Sequence, residues 1–232
     1  QFAVGSSAVF DSLRDTLKTV SSSDVPVVLC GEHGCGRTHL AEAVHRWSGR
    51  TGEFRSFHVR SVPQDSIASL IFGTGGEDEG LLRTRGQDTV LISGIETLES
   101  EVQTRLVEWF RGLESKDTRE ASRLVVSISE DLKSLVQQEV LAESLYYTLS
   151  VVELKVPPLR TRRGDVIELI EYFLSAARQE HQRELAWFSD AALSAMDGYG
   201  WPGNIRELKN AIERLVLTHQ GTLVQAEALP SD

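Results

Sequence analysis

Residues 25–47 read VPVVLCGEHGCGRTHLAEAVHRW, and this segment restricts the possible folds more than any other. Its first six residues are a short apolar run that stops at Gly31, the pattern of a strand buried in a parallel sheet. Glycines then fall at 31, 34 and 36, and the residues from Arg37 to Trp47 carry a helical pattern. The loop matches the phosphate-cradling spacing G-x-x-x-x-G-[K]-[ST] at every position but one, and its strand-to-helix context is the one that spacing requires. The exception is Arg37, which stands where a lysine is expected.

The rest of the chain extends the same alternation. Strands are expected at 54–59, 89–94, 122–129 and 151–156, with helices at 6–20 and 101–113 between and before them. Strands alternating with helices imply a parallel sheet covered on both faces. A Pro157-Pro158 pair then marks a border. Beyond it residues 163–181, 189–197 and 204–219 read as helix and no strand is evident, so an α/β core is expected over 1–157 and an all-helical subdomain over 158–232.

Lys and Arg number 24 against 34 Asp and Glu, a formal charge of −10. Such a surface repels nucleic acid and anionic membranes alike. No apolar run approaches the ~18 residues of a membrane span, and the first residues lack the basic flank and apolar stretch of an export signal. The sequence starts without methionine and is read as a piece of a longer protein. Cys30 and Cys35 have no cysteine or histidine partners at metal-site spacing, so two free thiols in a reducing cytosol are expected.

In the loop, glycines at 31, 34 and 36 let the backbone turn its N–H groups inward, and Cys35 lies among them. The helix N-terminus adds favourable partial charge for phosphate. Thr38 is placed to hold magnesium. Arg37 keeps a positive charge, but its planar fork does not replace a compact ammonium. Two readings follow: a nucleotide cradle, or a tight strand-to-helix turn.

The segments WPGNIRELKNAIERLVL (201–217), PPLRTRRGDVIELIEYFL (157–174) and SLYYTLSVVELKVPPL (144–159) resemble the AAA+ domain of bacterial enhancer-binding proteins, the ATPase activators of RNA polymerase carrying sigma-54. The opening VGSSAVFDSLRDTLKTV is similar to the start of that domain. The resemblance spans nearly the whole chain. It implies a Rossmann-like P-loop core with a parallel five-stranded sheet, a helical lid, ring assembly, a cytoplasmic location, and DNA contact only through a C-terminal helix-turn-helix outside this chain.

Residue by residue, the departures bear on activity. The resemblance places Ser93 and Gly94, in DTVLISGI, where the family's GTLFLDEI has an aspartate that orients magnesium and a glutamate that polarises the attacking water. Loss of a general base costs about 10²–10⁴ in rate. Glu96 is expected as a solvated carboxylate, with substitution for that base as the alternative. Ala142 and Thr148, in LAESLYYTL, occupy the positions of two arginines that complete a neighbour's site, worth about 10³–10⁵ when supplied in trans. Ser129 corresponds to a sensor asparagine. Arg206 is retained, either facing phosphate or making a lid-to-core ion pair. After Phe72-Gly73 the sigma-contacting GAFTGA loop is replaced by a shorter acidic turn, Glu77 to Glu79, read as a solvated tip or a partner-facing patch.

A pseudo-ATPase is therefore expected: ATP or ADP held without turnover if at all, Mg2+ doubtful, and action by self-association or by gripping a regulatory protein or the transcription machinery. The alternatives are a weak ATPase using Thr38, Arg37 and Arg206, and a cyclic di-GMP sensor drawing on Arg14, Arg37, Arg160, Arg162 and Arg163, since arginine suits phosphate and guanine contacts.

Overall fold

The computed structural model describes residues 4–75, 80–82, 86–113, 121–182, 187–219 and 221–229. Two compact units emerge. One comprises residues 15–31 and 37–156; the other joins residues 1–14, 32–36 and 157–232.

The first unit is an α/β layer structure. Helix α1 (Ala8–Ser21) leads into β1 (Val27–Cys30), α2 (Arg37–Trp47), β2 (Phe54–His58), α3 (Gln64–Phe72), β3 (Thr89–Ser93), α4 (Ser100–Leu113), β4 (Arg123–Ile128), α5 (Leu132–Gln137), α6 (Glu143–Leu149) and β5 (Glu153–Lys155). The five strands pair in the order β2-β3-β4-β1-β5, every pairing parallel. Helices cover both faces of such a sheet, so its central strands must be apolar on both sides. β1 and β4 are buried along their whole length, while no residue of edge strand β2 is fully buried. Val102, Leu106, Val107 and Leu113 of α4 meet the core at helical spacing.

Each expected strand appears, but the 151–156 run contracts to three residues, because Val151 is 60% exposed before the ladder begins. Helix α3 was not anticipated. Only Ile67 and Ile71, one turn apart, are buried on it.

The second unit packs α7 (Gly164–His181), α8 (Asp190–Gly198) and α9 (Asn204–Thr218) around Leu169, Ile170, Leu174, Phe188, Met196, Trp201, Leu208 and Ile212. It also holds strands β6 (Trp187–Phe188) and β7 (Leu223–Val224), a two-residue parallel ladder. The expectation of no strand in this part is thereby corrected. Phe188 and Val224 enter the apolar cluster, and two residues are too few to show a period.

Residues near the N-terminus belong to this unit for a specific reason. The Asp165 carboxylate, fully buried, accepts from the N–H groups of Ser6 (2.8 Å) and Ser7 (2.7 Å), from the Ser7 hydroxyl (2.8 Å) and from Arg162 Nε (2.6 Å). Arg162 lies over the Phe10 ring at 3.7 Å and donates to the Val4 carbonyl. Burial lowers the Arg162 pKa, and Asp165 opposes the shift.

Candidate functional site

The glycine loop joins β1 to α2 at the C-terminal edge of the sheet. From β1 the chain crosses to the far edge, while β4 to β5 crosses the other way, the switch point at which open α/β sheets place ligands. Gly31 donates its N–H to the Ile128 carbonyl at 3.1 Å, tying the loop's start to the end of β4.

At Arg37, the first residue of α2, Nη1 donates to the carbonyls of Gly31 and Ile128. The guanidinium is thus turned onto the ends of β1 and β4. Thr38 beside it is exposed.

The middle of the loop, residues 32–36, belongs with the second unit. Gly34 (φ 77°) and Gly36 (φ 102°) adopt left-handed backbone, which glycine takes without steric cost. Gly34 is required twice over, since a Cβ there would lie 2.2 Å from the Gly203 carbonyl oxygen. Cys35 is buried. Glu32 accepts from both terminal nitrogens of Arg160, one at 2.7 Å and the other at 2.5 Å. Asn204 Nδ2 donates to Glu32 (3.1 Å) and to the His33 carbonyl (3.0 Å), while its Oδ1 accepts from the Leu159 N–H (2.8 Å). The hydrogen bond from Arg160, followed by that from Asn204, lowers the Glu32 pKa to about 2. The Ile205 N–H donates to the Gly34 carbonyl. Asn204 itself has φ 54°, a conformation asparagine tolerates better than most residues. The residues PPLR and WPGN thus grip the loop; this role of Glu32 and Asn204 went unread in the sequence. Arg206 is exposed, and neither an ion pair nor a hydrogen bond of its side chain occurs among the described residues.

At the end of β3, Ser93 stands opposite Ser127 of β4, and the Ser127 hydroxyl donates to Ser93 Oγ at 2.9 Å. Gly94 takes φ 83° and ψ 34°, a left-handed conformation that would cost a larger residue about 1–2 kcal/mol. Glu96 lies in the following turn, Ile95–Thr97. Its Oε2 is buried without a hydrogen-bond partner, so the expectation of a fully solvated carboxylate is corrected. The turn folds that oxygen inward. Ser129 is exposed. Cys30, at the end of β1, has its thiol pKa raised chiefly by burial, then by Glu153 and Asp131; both cysteines are buried and neither forms a disulfide.

Ala142 caps α6 without a side-chain bond, and its N–H donates to Gln103 Oε1 at 2.8 Å. Thr148 Oγ1 donates to the Ser144 carbonyl within α6. Neither side chain carries charge. The acidic turn Glu77 to Glu79 lies outside the described residues.

A nucleotide's two requirements fare differently. The N-terminus of the 11-residue helix α2 suits phosphate. Magnesium does not fit: Thr38 offers one hydroxyl, and the end of β3 offers a serine pair in place of a carboxylate, whereas Mg2+ takes near-octahedral oxygen ligation that includes carboxylates.

A parallel sheet with this strand order, a glycine loop after β1 and a helical second unit define a P-loop AAA+ fold. The sequence model of the sigma-54 interaction domain matches residues 4–159 and that of the AAA+ ATPase lid domain matches residues 160–232. The chain belongs to the sigma-54 interaction domain family. Its relatives include the regulatory protein AtoC of Escherichia coli K12, 31% identical over 240 residues (97% of this chain, 52% of AtoC), and the phenol regulator MopR of Acinetobacter guillouiae, 34% identical over 230 residues (93% of this chain, 41% of MopR). The chain spans about half the length of the curated relatives it matches. Crystal structures of NtrX from Brucella abortus superpose with a TM-score of 0.85 at 25% identity (98% of this chain, 54% of NtrX) and, for the ATP complex, 0.83 at 25% identity (98% and 56%). No helix among the described residues is long and apolar enough to cross a membrane.

Proposed function

We propose that this chain is the central AAA+ domain of a cytoplasmic bacterial transcriptional regulator related to the sigma-54 activators, and that it neither hydrolyses ATP nor engages sigma-54. It acts by self-association or by binding another regulatory protein, with DNA contact left to a helix-turn-helix outside these residues. One observation carries the reading: at the end of β3, where the family's resemblance calls for a carboxylate, Ser93 accepts a hydrogen bond from Ser127. A hydroxyl pair supplies no base for water and little affinity for magnesium. The left-handed Gly94, the uncharged Ala142 and Thr148, and the engaged Arg37 support the same reading.

A second reading, nucleotide binding without turnover, is favoured by the left-handed Gly34 and Gly36. Cyclic di-GMP recognition draws less support. Arg37 and Arg162 are bonded to backbone or buried carboxylate, Arg160 to Glu32, and Arg14 to Asp11 and the Gly5 carbonyl.

The test pairs phosphate-release assays at high protein concentration with calorimetric titration of ATP and cyclic di-GMP. Magnesium-dependent release is expected to equal that of Thr38→Ala. Release in the native sequence that disappears in Thr38→Ala would refute the proposal, and heat from ATP alone would select binding without turnover.

A further inference from the structure

Away from the glycine loop, Glu180, His181 and Glu213 each present one donor atom, and the three atoms lie within 4.8 Å of one another. We propose that these residues form a divalent transition-metal site, best suited to Zn2+, that fastens the end of α7 to α9.

The two helices set the spacing. Leu174 and Ala177 of α7 share an apolar cluster with Ile212, Leu215 and Val216 of α9, which brings the last turn of α7 beside Glu213. Helix α7 stops at His181, because Gln182 follows in left-handed conformation (φ 51°). Its last turn therefore presents carbonyls without helical partners, the negative end of the helix dipole and a favourable place for a cation.

The distances fit the metal. Zinc bonds of about 2.0–2.1 Å in tetrahedral geometry separate neighbouring ligand atoms by about 3.3 Å. His181 Nε2 and Glu213 Oε1 already stand 3.3 Å apart. Glu180 is exposed and makes no ion pair or hydrogen bond among the described residues, so a rotamer change brings its carboxylate in from at most 4.8 Å. The result is three protein ligands and one position open to water. One imidazole with two carboxylates suits Zn2+ better than Mg2+ or Ca2+, which favour all-oxygen shells.

Isothermal titration of the chain with ZnCl2 tests the site. The expected result is one saturable site per chain, at least about tenfold weaker in His181→Ala and in Glu213→Gln, unchanged in the Cys30→Ser/Cys35→Ser double variant, with no comparable heat from MgCl2. Circular dichroism of each variant checks that α7 and α9 persist. Absence of Zn2+ binding, undiminished binding in both ligand variants, or loss of binding in the cysteine variant would overturn the assignment.

Discussion

Replacing Asn204 by aspartate keeps the size of the side chain and the acceptor for the Leu159 N–H, but exchanges an NH2 group for an oxygen. That oxygen would stand 3.1 Å from Glu32 Oε2 and 3.0 Å from the His33 carbonyl, at a position that is fully buried. Two charged carboxylates at that separation repel by about 5 kcal/mol at an effective dielectric constant of ~20. Glu32 does not relieve the conflict by taking up a proton, since Arg160, the foremost cause of its lowered pKa, stays in place. The introduced carboxyl does. Moving from its ordinary pKa of about 3.9 to protonation at pH 7 costs about 4 kcal/mol, slightly less than the repulsion. The sign follows: a carboxyl with its folded pKa raised destabilises the fold as pH rises above the unfolded value, by about 1.4 kcal/mol per pH unit until the folded pKa is reached.

Urea unfolding followed by tryptophan fluorescence should therefore show the Asn204→Asp penalty growing by about 2.7 kcal/mol between pH 5.5 and 7.5. Asn204→Ala, which removes the donor without adding charge, should cost about 2–3 kcal/mol at either pH. Aspartate tolerates the left-handed backbone nearly as well as asparagine, so strain does not imitate the pH effect. A penalty for Asn204→Asp that changes by less than about 0.5 kcal/mol over this range would refute the account of how the loop is held.

Arg123 is buried on β4 and donates to the carbonyls of Ser21 (2.9 Å), Val20 (3.0 Å) and Val25 (3.3 Å). Arg123→Ala leaves those acceptors unsatisfied and should lower stability by about 3 kcal/mol, a fall of about 6–12 °C in a thermal melt; a change under about 2 °C would show that water replaces the donor at no cost. Arg37→Lys gives up the guanidinium nitrogen that bridges the Gly31 and Ile128 carbonyls and restores a compact ammonium. It should tighten ATP binding at least about tenfold by calorimetry, and an unchanged affinity would mean that Arg37 is not what limits it.

The core was legible in the sequence because parallel strands buried on both faces must be written as continuous apolar runs, as in Val27–Cys30 and Arg123–Ile128. Helices α4 and α9 were legible by their period. What escaped were contacts made by single polar atoms over long separations. Nothing near Asp165 indicates that Ser6 and Ser7 will bond to it across more than 150 residues. Arg37 was recognised as the odd residue of its motif, but its rotamer depends on where β4 ends. The place of Glu96 just past the strand points to solvent, yet one of its carboxylate oxygens is buried. The ladder of Trp187–Phe188 and Leu223–Val224 is shorter than any pattern a sequence can display.

The buried carboxylate at Asp165 bears on how this polypeptide can be cut. The family boundary between residues 159 and 160 invites excision of the helical part as a self-sufficient piece. A fragment beginning there would carry Arg162 and Asp165 but leave behind the two serine amides, the Ser7 hydroxyl and the Phe10 ring that complete their surroundings. Any stand-alone version of the helical subdomain must therefore supply the stretch from Val4 to Phe10, by linkage or as an added peptide.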